Sequence, residues 1–223
     1  MIELLDLQQT LHAFAACNDN HGVYESFGWV HATDGEPMQA RFWLPPDEDT
    51  AFDDDGEVPA EARALGLREY LEPGNFAGVL FVQKRQRPLS TVEEYAKALE
   101  HYCEHDAFLE VEGVDEALGE ATAADRLAAR YAGVGADIFT SFDLWLLACA
   151  DEQLKATAQA VAHLHEVSVG EALARCRALP LLLGEALDRS RAQAIKDQFE
   201  AIGAAVQVHG FKPFPWMDAP VLR

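Results

Sequence analysis

Basic residues are scarce in this sequence: 17 lysines and arginines stand against 38 aspartates and glutamates, a formal charge of −21 over 223 residues. Phosphate backbones and anionic membranes repel such a chain, which argues against direct nucleic-acid or membrane binding and suits a cationic partner. Cysteine is sparse as well. Cys17, Cys103, Cys149 and Cys176 stand alone with no C-x-x-C pair, the usage of free or buried thiols in a reducing compartment. No apolar run approaches the ~20 residues that span a bilayer. The first residues, MIELLDLQQTLHAFAAC, carry acids where a secretory signal needs bases. The expectation is a cytoplasmic protein.

Catalytic signatures are missing too. There is no G-x-S-x-G elbow and no Walker A motif, and GVGADIF lacks the third glycine and the preceding strand of a dinucleotide fingerprint. A calcium loop aligned on Gly56 places Asp53 and Asp55 correctly, but Ala51 and Ala62 fall where its first and last ligands belong. His101 and His105 share one helix face, with Cys103 and Asp106 nearby, yet no H-E-x-x-H or third ligand at a telling spacing completes a zinc site. His163 and His165, two apart in a helix, point in different directions. The chain therefore reads as a non-enzyme with no cofactor and no metal. Unrecognised carboxylate chemistry stays open as an alternative.

What is present is acid, unevenly spread. Residues 1–111 hold 22 acids and 7 bases, a net −15, and residues 112–223 hold 16 and 10, a net −6. The stretch PPDEDTAFDDDGE, residues 45–57, packs seven carboxylates and no base. A loop built only for solubility has no need of the Phe52 in its middle, nor of Phe42 and Trp43 just before it. Trp43 and Phe52 with Asp47, Glu48, Asp49, Asp53, Asp54, Asp55 and Glu57 have the composition of a partner-binding surface, apolar anchors rimmed by like charge. A solvated acidic loop is the competing reading.

Apolar residues make up 49% of the chain, enough for a sizeable core. The patterning predicts an α+β protein of two small domains. An acidic domain spans 1–111, a helical connector 112–138, a second domain 139–210 and a C-terminal tail 211–223. In the first domain, residues 2–14 read as a helix, 22–32 and 38–45 as strands joined by a turn, and NFAGVLFVQ (75–83) as a strand. A helix follows, opened by a capping box from Ser90 to Glu93. The second domain reads β-α-α-β-α-β. Asp188 caps its last helix, Gly203 ends it, and Leu144, Leu146, Val161, Leu164, Ala172, Leu182, Ile195, Phe199 and Val206 fall in its core.

The stretch EALARCRALPLLLGEALDRSRAQAIKDQFEAIGAAVQV, with FDLWLLACA as first strand, resembles the C-terminal domain of the bacterial ribosomal stalk protein over roughly residues 140–209. That domain recruits translation factors through lysines and an arginine on its paired helices. Here only Lys155 matches, and Gln159, Ala160, His163 and Gly170 take the other places. A second similarity lies in WLPPDEDTAFDDDGE followed by LSTVEEYAKALEHYCEHDAFL. It is similar to an uncharacterised bacterial family whose helix ends in YY-x-x-x-DAF, matched by His101, Tyr102, Asp106, Ala107 and Phe108. Members of that family sit beside polymorphic toxins, as immunity proteins do. The leading expectation is an immunity protein for a basic secreted toxin, a DNase of a type VI or related system. An adaptor binding translation or proteolysis machinery through the stalk-like domain is the alternative.

Overall fold

The computed structural model describes residues 2–46, 60–114 and 119–222. The fold is α+β, helices with small antiparallel sheets. Two compact units divide the chain: Met1–Phe139 with Pro213–Met217, and Thr140–Lys212 with Asp218–Arg223. The 112–138 stretch thus belongs to the first unit, and the 211–223 tail is shared between both.

In the first unit, helix α1 (Leu7–Ala16) starts later than the pattern suggests. Asp6 and Gln9 form a reciprocal capping box, with N···O distances of 2.8 and 2.9 Å, which satisfies donors the first turn would otherwise leave unpaired. Leu5 lies outside it and exchanges two 2.8 Å backbone hydrogen bonds with Phe42. Residues 22–26, expected as strand, are helix: Asp19 caps α2 (Asn20–Ser26) by accepting from Gly22 N–H at 2.9 Å. Strands β1 (Val30–Ala32) and β2 (Phe42–Trp43) pair antiparallel, His31 opposite Trp43 and Ala32 opposite Phe42. After α3 (Ala60–Ala64), β3 (Arg68–Leu71) joins the other edge of β1, giving the order β2-β1-β3.

The apolar run at 75–83 is not a strand but the body of α4 (Pro73–Gln86). Proline at the first helical position has its φ already set and loses no needed hydrogen bond. Phe76, Ala77, Val79, Leu80, Gln83 and Lys84 are the buried positions, a period near 3.6 that a strand could not bury on one face. Helix α5 (Val92–His105) opens with a capping box one residue later than expected, at Thr91 and Glu94. Ser90 is otherwise engaged: it is buried, accepts from Gln83 Nε2 at 2.8 Å and donates to the Arg87 carbonyl at 2.8 Å. Helix α6 (Ala123–Tyr131) is capped by Thr122. The core gathers Leu11 and Phe14 from α1, Phe42, Phe76 and Leu80, Tyr95 and Leu99 from α5, Ile138, and Phe214 from the returning segment. Phe14 and Phe76 stack with ring centroids 4.6 Å apart.

The second unit runs β4 (Ser141–Ala148), α7 (Leu154–Leu164), α8 (Val169–Cys176), β5 (Leu181–Leu187), α9 (Arg189–Ala201) and β6 (Ala205–Phe211). This is the β-α-α-β-α-β order, folded as an antiparallel sheet β5-β4-β6. Phe142, Leu144 and Leu146 alternate toward the helices and meet Val161, Ala172, Ile195 and Phe199 in the core. Leu183, rather than the expected Leu182, is the buried leucine of the middle of β5. Leu182 pairs across from Trp145, on the opposite face from Leu144 and Leu146. Asp188 caps α9 by accepting from Arg191 N–H at 2.8 Å, and Gly203 follows the helix at φ +82°.

Candidate functional site

Of the residues expected to bind a partner, Trp43 alone is described. Asp47, Glu48, Asp49, Phe52, Asp53, Asp54, Asp55 and Glu57 lie outside the described residues. Trp43 is half-buried on β2, its ring 5.2 Å from that of His31. His31 is fully buried, and its Nδ1–H donates to the Trp29 carbonyl at 2.8 Å. Burial lowers its pKa, opposed by that hydrogen bond and by the charge of Glu69, so the neutral imidazole is favoured. Its Nε2 has no partner among the described residues. Phe42, expected beside Trp43 on the surface, is instead core, packed edge-on to Tyr70 and Phe76.

The bases of residues 1–111 are largely occupied. Arg68 pairs with Asp34, Arg85 with Glu120 at 2.8 Å, and Arg87 with Glu94. Lys84 is fully buried. Its Nζ donates to the Pro213 carbonyl and lies 5.5 Å from the centre of the Phe214 ring. Burial pulls its pKa down to about 7, and the charge of Asp137 opposes the fall. The segment covering it is fixed by aromatic contacts: Phe214 stacks on Trp216 at 5.0 Å, Tyr95 meets both rings edge-on, and Trp216 Nε1–H donates to His12 Nε2 at 3.0 Å. Lys84 and these three arginines are thus four of the seven bases of residues 1–111, which carry 22 acids.

A second feature escapes composition and motif reasoning. Tyr24, Phe81 and Phe108 are 54%, 41% and 45% exposed, too much for rings that serve only the core. Tyr24 comes from α2, Phe81 from α4 and Phe108 from the segment after α5, and the first and last lie against α4. Tyr24 of α2 lies against Gly74, where any Cβ would collide with its phenol, and Phe108 lies 3.8 Å from the position of a Cβ on Gly78. Gly74, Gly78 and Phe81 stand at i, i+4 and i+7, one face of the helix. Helical glycines cost about 0.5–1 kcal/mol each against alanine; at Gly74 the missing Cβ opens the space the Tyr24 phenol occupies, while at Gly78 the Phe108 ring stands at ordinary van der Waals distance. Tyr102 packs 5.3 Å from Phe108. Burial first, then the nearby charges of Asp106 and Glu72, raise its phenol pKa. The available sequence signal was the i, i+4 glycine pair in PGNFAGVLF, hidden by the strand reading.

Residues 24–111 match the family model of a domain of unknown function, DUF7716. The matched stretch runs from Tyr24 through Trp43 and Phe81 to Phe108, all within the first unit. No curated protein and no solved structure matches the chain. His101 and His105 bring their rings to 4.5 Å, and no cluster of three or more metal-ligating side chains forms among the described residues. Cys17, Cys103, Cys149 and Cys176 are all unpaired thiols. No helix among the described residues is long and apolar enough to cross a membrane.

Proposed function

We propose that this chain is an immunity protein of the cytoplasm: it binds a cognate secreted antibacterial toxin and neutralises it without catalysis, the toxin being a DNase of a type VI or related system. The observation that carries this reading is the uncompensated acidity of the first unit. Residues 1–111 carry a net −15, and of their seven bases Lys84 is buried while Arg68, Arg85 and Arg87 are paired with acids. A nuclease groove is basic by necessity, because it must hold phosphates. An acidic protein surface competes for that groove and is steered to it by long-range attraction. Trp43 and the acidic stretch at 47–57 supply one contact region. Specificity among toxins then comes from shape, since charge alone would attract any basic protein.

The test is co-expression. Cells producing the nuclease encoded beside this gene should survive only when the chain is present, and unrelated nucleases should kill regardless. Survival without the chain, or death with it, contradicts the proposal.

A further inference from the structure

We infer that the exposed face of α4, bearing Tyr24, Phe81 and Phe108, is a docking surface for an arginine-rich face of a basic protein. This rests on the toxin-binding reading above and names a surface that the sequence did not point to. Isolated exposed aromatics are ordinary on proteins. Here the ring-bearing positions follow one helix face over seven residues, about 10 Å at 1.5 Å per residue. Glycines at 74 and 78 leave the helix bare where the Tyr24 and Phe108 rings lie.

The charge around the rings chooses the partner. The three segments that present them, residues 19–27, 72–86 and 104–112, carry Asp19, Glu25, Glu72, Glu104, Asp106, Glu110 and Glu112 against two bases: Lys84, which is buried, and Arg85, which continues the same face of α4 and is paired with Glu120 at 2.8 Å. A purely apolar partner would leave these carboxylates facing desolvation with nothing in return, and an anionic one would be repelled. Arginine satisfies both parts of the surface. Its planar guanidinium stacks on an aromatic face and donates to carboxylates at its edge, whereas the lysine ammonium is a compact, strongly hydrated charge. The surface should therefore prefer arginine to lysine at equal net charge, which a diffuse acidic field cannot do.

The experiment uses the full-length chain with two probes of equal charge, nona-arginine and nona-lysine peptides, in titrations at fixed ionic strength. Nona-arginine should bind at least threefold more tightly. Its complex should slow backbone hydrogen exchange in residues 20–26, 73–86 and 105–111 of the unaltered protein. The triple variant Tyr24→Ser, Phe81→Ser, Phe108→Ser should lose the preference and weaken nona-arginine binding at least tenfold. Phe81→Ser alone, which disturbs neither glycine contact, should lose part of it. Equal binding of the two peptides, or protection that avoids these segments, overturns the inference whether or not the triple variant folds. The two proposals fail separately. A neutralised nuclease whose footprint avoids α4 sinks this surface and leaves the immunity reading standing. An arginine-selective footprint on α4 without any nuclease neutralised does the reverse.

Discussion

Replacing Lys84 with methionine should remove a specific pH dependence of stability. Lys84 is fully buried and its pKa falls from an ordinary 10.5 to about 7 in the folded protein, because burial penalises the ammonium. Below pH 7 both folded and unfolded chains hold the proton, and the group gives no slope. Between pH 7 and 10.5 the unfolded chain holds a proton that the folded protein has released, so stability rises with pH. Each pH unit is worth about 1.4 kcal/mol once the folded lysine is fully neutral. Because it is half protonated at the start, the gain from pH 7 to 9 is about 2 kcal/mol. Cys17 and Cys103, whose pKa values burial raises, act with the opposite sign but are common to both proteins. They cancel in the difference between the native chain and Lys84→Met. The assay is urea unfolding at pH 7, 8 and 9 and constant ionic strength, followed by tryptophan fluorescence, since Trp216 stacks on the Phe214 ring above Lys84. The native protein should gain about 2 kcal/mol more than the variant across the range. Parallel pH profiles would refute the reasoning and mean that Lys84 is not a buried, desolvated amine.

Thr91→Ala should cost about 1 kcal/mol through loss of the α5 cap, and Ser90→Ala more, because it strips the buried Gln83 Nε2 of its acceptor and the Arg87 carbonyl of a donor; thermal unfolding of the two variants ranks them. Gly203→Ala should destabilise the second unit by at least ~1 kcal/mol, since φ is +82° and a Cβ would run into the Gln153 side chain, read as a lower urea midpoint. Neutralising Asp47, Glu48, Asp49, Asp53, Asp54, Asp55 and Glu57 together should slow association with the cognate nuclease and flatten its salt dependence, with little change in dissociation. Stopped-flow rates at several ionic strengths measure this, and unchanged rates would make the stretch a bystander.

The second unit was legible in the sequence because its local signals agree. Alternation in FDLWLLACA, an aspartate before the last helix and a glycine after it each point to the same boundaries. Three leucines in a row, 181–183, give no alternation from which to choose the inward face, and it is Leu183 that is buried while Leu182 pairs with Trp145 on the other. The first unit was harder. A nine-residue apolar run fits strand or helix by composition, and only Pro73 at its start and the 3.6 spacing of Phe76, Leu80 and Gln83 decide for helix. From the sequence Ser90 reads as the cap; the claim of Gln83 on it is tertiary and leaves no local trace. Lys84 looks like a surface residue from sequence, because the carbonyl and ring that cover it arrive from Pro213 and Phe214, 129 and 130 positions away. The rings on α4 come from segments far apart in the chain, so only the glycine spacing in PGNFAGVLF leaves a local trace of them. Net acidity, by contrast, needs no fold to be read, and it was.

We propose that this acidic chain silences a basic nuclease by binding it. The test titrates the purified chain into any nuclease found encoded beside its gene, with DNA cleavage as readout. Cleavage should fall linearly to the background and stop falling at one chain per nuclease, with a complex that survives gel filtration. Cleavage that persists at a large excess of the chain, with the two proteins eluting apart, would contradict it.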